Sequence, residues 1–109
     1  MFKITKNPEF SHPVRVKVPT DTGFAEQTFT ARFRALTITE SEKHDTMSTT
    51  GTNAFLAEVL VGWEGVTDDE GQPVAFSDAA RKALIDIPFA RVALLDTYNL
   101  ALIGAKRGN

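Results

Sequence analysis

Apolar and polar positions alternate strictly in the first third of the chain. In Val14-Arg15-Val16-Lys17-Val18 the valines share one face and the cations the other, the period of a half-buried strand. The run from Gln27 to Ile38 repeats the pattern, with Phe29, Ala31, Phe33 and Ala35 opposite Thr28, Thr30, Arg32 and Arg34. Between the two lies Pro19-Thr20-Asp21-Thr22-Gly23, dense in turn formers. An antiparallel hairpin with one buried and one wet face is expected. Met1 to Thr5 is a candidate short edge strand.

The period then changes. Thr39 and Glu42 stand at capping-box spacing, which predicts a helix from Glu40. Asp45 to Asn53 holds four threonines, a serine and Gly51, weak helix formers, so a flawed segment is expected there. Helix should resume near Asn53 and carry Phe55, Leu56, Val59 and Leu60 inward. Asp68-Asp69-Glu70-Gly71 suits a turn closed by a glycine with positive φ. Ser77 is a good N-cap with Asp78 in the first turn, and Ala80, Leu84 and Ile87 follow at helical spacing. Pro88 ends that helix and opens another over Phe89 to Ile103, with Gly104 as its stop. The expected fold is α+β, a single domain over 1–109. An N-terminal antiparallel β-hairpin element lies in a β-rich part, 1–38. A small bundle of helices follows in a mainly helical part, 39–109, with a hairpin turn at 66–74.

Composition narrows the function. Hydrophobic residues make up 42% and charged residues 24%, which argues against disorder along the whole length. No apolar run approaches the roughly 18 residues of a membrane span, and Met-Phe-Lys-Ile-Thr-Lys lacks the apolar stretch of a secretory signal. A protein that stays in the cytoplasm is expected. With no cysteine, disulfides, thiolate metal sites and a cysteine nucleophile are excluded. A net charge of -2 gives no global attraction to DNA or anionic membranes.

The residues that carry chemistry are sparse. His12, before Pro13, and His44, among Glu42, Lys43 and Asp45, lack the further ligands that a metal needs, and both read as exposed surface. Asp68 to Gly71 lacks the alternating oxygens of a calcium loop. No serine has a nucleophile-elbow setting, and the seven glycines are scattered singly. No catalytic residue, cofactor or metal ligand is assigned. Trp63 reads as an interface anchor or as an indole packed over the core between Gly62 and Gly65; its apolar neighbours favour the second.

The run Trp63-Glu64-Gly65-Val66-Thr67-Asp68-Asp69-Glu70-Gly71-Gln72-Pro73-Val74-Ala75-Phe76-Ser77 resembles the signature of phage tail assembly chaperones. In that family a Trp-x-Gly-Val turn precedes an acidic residue, Gly-x-Pro and an aromatic-Ser helix start. Phe29 to Leu36 and the apolar last helix with Tyr98, before Gly108-Asn109, are similar as well, so the likeness runs from about Phe24 onward. The threonine-rich 45–53 stretch departs from the family. The resemblance implies a non-enzymatic assembly factor in the host cytoplasm, absent from the mature virion. Such a factor binds the tape measure protein, helps recruit the tail-tube protein and forms a homo-oligomer. Two other readings stay open: a small structural tail or head-completion subunit, and a β-ribbon nucleic-acid-binding module, which the acidic total disfavours.

Two surfaces are candidate protein interfaces. Leu94, Tyr98, Ala101 and Leu102 form one stripe of the last helix, while Ala93 and Leu100 lie nearly opposite. A helix apolar most of the way round must be buried on more than one face, either within the monomer or against a partner. Leu94, Tyr98 and Leu102 are therefore interface candidates. So are Arg32 and Arg34, which share the wet hairpin face with Arg15 and Lys17.

Overall fold

The computed structural model describes residues 1–104; Gly108-Asn109, invoked in the resemblance, lies outside them. It is α+β. Strands β1 (Glu9–Thr20) and β2 (Gly23–Arg34) form an antiparallel hairpin joined by Asp21-Thr22, and Gly23 opens β2 at φ +141°. A third strand, β3 (Leu60–Glu64), adds to β2, giving the order β1-β2-β3. Between them come a one-turn helix, α1 (Ile38–Ser41), and α2 (Thr49–Val59); α3 (Asp78–Ile85) and α4 (Pro88–Ile103) complete the chain.

The hairpin register pairs Val14 with Phe29 and His12 with Ala31, so the apolar members of both strands fall on one face. Val14, Ala31 and Phe33 are fully buried there. Phe55, Leu56 and Val59 of α2 and Leu94 and Tyr98 of α4 close the core from the helical side. Burying one such Leu or Phe contributes about 1.5–3 kcal/mol.

Five local expectations are revised. Met1 to Thr5 forms no strand; Phe2 and Ile4 are exposed. The capping box is Thr37 with Glu40, two residues before the pair at Thr39 and Glu42. Both pairs have the same spacing, but only at Thr37 does the chain leave β2 in the extended conformation a cap needs. The 45–53 stretch is helical from Thr49, capped by Ser48. Thr52 and Gly51 serve local contacts with the turn before the helix. Thr52 Oγ1 donates to the Thr46 and Ser48 carbonyls, and a Cβ on Gly51 would fall on the Asp45 backbone. Leu60 to Glu64, not anticipated as a strand, continues directly from α2, and its register shifts beside Arg32 and Phe33. Lastly, the half-buried His12 and His44 are not simple surface residues.

The loop at 66–74 closes as expected. Val74 N–H donates to the Val66 carbonyl, and Gly71 turns at φ +80°. Ser77 caps α3, Pro88 opens α4, and Gly104 ends it in the left-handed region at φ +85°.

Candidate functional site

Helix α4 divides the residues that the sequence put on one stripe. Leu94 is fully enclosed and Tyr98 is 3% exposed, whereas Leu102 is 50% exposed. Tyr98 sits among Phe10, Phe33 and Phe55 at centroid distances of 6.5, 5.7 and 5.4 Å. Its hydroxyl accepts the Leu36 N–H at 3.0 Å. Leu94 and Tyr98 are thus core residues and offer no surface to a partner. The physical reason is the sheet: α4 runs across β1, and the buried face of the hairpin needs large side chains from above.

Among the described residues nothing covers the second apolar face of α4. Val92, Leu100 and Ile103 are 57%, 53% and 59% exposed, and Leu102 joins them at the helix end. Positions 92, 96, 99, 100 and 103 follow helical steps and make one ridge, interrupted only by Asp96 and Asn99.

A concave surface lies between α2 and α3. This groove, of about 850 Å³, is lined by four alanines and Ile85 and by the polar Thr50, Asn53, Asp78, Arg81, Lys82 and Asp86. At one end Arg91 bridges three elements, donating to Asn53 Oδ1, the Thr49 carbonyl and the Ile85 carbonyl. The alanines did not stand out in the sequence, because a helically spaced pair on each of two separated helices does not reveal that the two faces meet.

The hairpin cations do share one face, as their register requires. They do not form a free basic patch. Arg15 meets Glu26 at 3.5 Å, Arg32 meets Glu9 at 3.5 Å, and Lys17 lies over the Phe24 ring. Arg34 is enclosed further, at 3.6 Å from Glu40 and 3.7 Å from Glu58. Local carboxylates offset the stripe on which a nucleic-acid reading would rest.

Around Arg34 a polar cluster ties α1 and α2 to the sheet. His44 Nε2 lies 2.6 Å from Glu58 Oε1. Glu40 Oε1 accepts from Thr37 N–H at 2.9 Å and from Asn7 Nδ2 at 2.7 Å. The Thr37 backbone N–H, then the Asn7 amide, and more weakly the Arg34 charge hold the Glu40 carboxyl below its ordinary value. Glu58 was missed because its two partners come from β2 and from the turn after α1.

Trp63 takes the structural role. Its indole N–H donates to the Val74 carbonyl at 2.8 Å, and Phe76 meets it edge-on at 4.9 Å. Arg81 lies over Phe76 and donates to the Leu60 carbonyl. The Trp63-to-Ser77 run is therefore one packed unit in which β3, the 66–74 loop and α3 hold each other.

Among the described residues no three His, Asp or Glu side chains gather to hold a metal ion. Nor is any helix there long and apolar enough to cross a membrane. No protein family, curated protein or solved structure gives a match to the chain.

Proposed function

We propose that this chain is a non-enzymatic phage tail assembly chaperone that binds the tape measure protein and helps recruit the tail-tube protein. It acts in the host cytoplasm, self-associates, and is left out of the mature virion. The observation that carries this reading is the uncovered apolar ridge of α4, since an exposed face of that kind marks a protein-binding surface. The resemblance of Trp63 to Ser77 supplies the identity of the client. The packing of Trp63, Val74, Phe76 and Arg81 gives that run a structural reason to be a signature.

The reading asks nothing of catalysis. Its working parts are a rigid hairpin-and-helix scaffold and apolar surface that a helical client or a sister copy can cover. Co-expression with a tape measure protein, which the reading expects to be encoded beside this chain, followed by a pull-down on this chain, tests it. The expected result is recovery of the long protein. A long protein that never co-purifies with the folded chain would overturn the reading.

A further inference from the structure

The hairpin outruns the strand that covers it. β3 pairs with β2 only from Thr30 to Phe33, and Gly65, at φ +86°, turns the chain away beside Phe29. Phe24 to Thr28 are exposed, and among the described residues no strand pairs with them on the side away from β1. Which main-chain groups face that side follows from the register. Pro8 and Ala35 form the next pair beyond Glu9 and Arg34, and there the Ala35 N–H donates to the Pro8 carbonyl at 2.9 Å. Bonded and non-bonded pairs alternate in an antiparallel ladder. Pro13 and Pro19, which have no N–H to give, therefore fall opposite Thr30 and Phe24 in non-bonded pairs. The N–H and C=O groups of Phe24, Glu26 and Thr28 then point outward, into the line that β3 vacates. Five residues span about 17 Å, the length of an ordinary strand.

Two further features fit this edge for a strand. A cleft of about 200 Å³ opens beside it, with Gln27, Thr28 and Thr67 as its polar members. Val16 and Phe29 line it from the sheet and Leu84 and Phe89 from the helices, so it offers an apolar seat to an inward side chain. On the solvent face the open edge carries Glu26, and Glu64, opposite Thr30, stands at its end. Arg15, at 3.5 Å from Glu26, and Lys17 lie one strand further in. The other edges are less open. Two prolines strip donors from the free side of β1, and Arg81 takes the Leu60 carbonyl of β3. We propose that Phe24 to Thr28 receive an extended segment of another protein as an added strand, in line with β3. Its main chain bonds to Phe24, Glu26 and Thr28, and one apolar side chain enters the cleft. Basic side chains on its other face meet Glu26 and Glu64. The α4 ridge takes no part, so this surface goes beyond the functional reading and stands without it.

The test is amide exchange in the full chain, read residue by residue by NMR, with the peptide Lys-Val-Lys-Val-Lys-Val-Lys as probe. In the chain alone the N–H groups of Phe24, Glu26 and Thr28 should exchange quickly, and those of Gln27 and Phe29 slowly. The peptide, at about ten times its Kd, should slow the first three about tenfold. The scrambled order Lys-Lys-Val-Val-Val-Lys-Lys, and a version with glutamate for lysine, should not. Glu26→Pro removes the central donor at a position of the same kind as Pro13 and Pro19. It should melt near the wild type and lose the peptide, whereas Gln27→Pro, in a bonded pair with Val16, should melt lower. Should Glu26→Pro fail to fold, the probe itself is changed. Methylating the main-chain nitrogens of either its lysines or its valines removes the set that faces the edge, so one of these two peptides should lose binding and the other keep it. Edge N–H groups already protected in the chain alone, or no slowing with the peptide, would overturn the proposal. So would slowing by the scrambled order, or equal binding by both methylated peptides. A chain that takes the peptide as described but captures no tape measure supports the strand site and overturns only the functional reading.

Discussion

The phenol of Tyr98 reaches across the aromatic cluster to the Leu36 N–H, at the point where the chain leaves β2. One four-residue step earlier Leu94 is sealed, and one step later Leu102 is half in solvent. Sequence spacing puts all three on one stripe, but it carries no information on where the sheet beneath the helix ends. The contrast is measurable. Leu94→Ala should cost about 2–5 kcal/mol in a thermal or denaturant melt, and Leu102→Ala should stay within about 0.5 kcal/mol. Equal costs at the two positions would contradict this placement. Gly51 offers a second test, because alanine in a helix interior ordinarily stabilises by about 1 kcal/mol relative to glycine. Here the Asp45 backbone occupies the space that a Cβ needs. Gly51→Ala should therefore lower the melting temperature, and a rise would show that the 45–48 turn does not press on the helix.

Among the elements, the hairpin was the most legible, because strict alternation over two long runs fixes both faces and, with them, the register. Ser77, Pro88 and Gly104 marked the ends of α3 and α4 through local chemistry alone. The threonine-rich stretch was half legible: 45–48 breaks the helix as expected, but helix returns at Thr49, because propensity is a weak prior and Thr52 and Gly51 are kept by contacts to residues 45–48. β3 was hidden because Leu60 follows α2 without a turn, and its five residues carry two branched side chains, a glycine and Trp63 with no clean alternation. Charge was harder still, since Glu9, Glu26 and Glu58 neutralise the arginines only once the register is known.

The α1 cap makes a pH prediction. The Glu40 carboxyl is held below its ordinary value of 4.5, so the unfolded chain takes up its proton first as pH falls. Its stabilising contribution is complete above that value and is lost as pH drops through the lower folded value. Glu40→Gln should melt below the wild type at pH 5, and the gap should narrow as the solution is acidified towards pH 3. A gap that stays constant over that range would mean the carboxylate charge does not matter to the cap.

At the scale of the whole molecule, one face of α4 builds the core and the other is exposed. The core explains why the chain folds, with Val14, Phe33, Leu56, Leu60 and Leu94 all enclosed. The ridge of Val92, Leu100 and Ile103 remains exposed, and a chaperone requires apolar surface of this kind. The most direct measurement is the amount of a tape measure protein, sought in the reading frame beside this chain's, that stays in the supernatant with and without co-expression of this chain. The chaperone reading predicts that the long protein precipitates alone, remains in solution when co-expressed, and elutes together with the chain. A long protein whose solubility is the same in both cases, eluting apart from a folded chain, would contradict it.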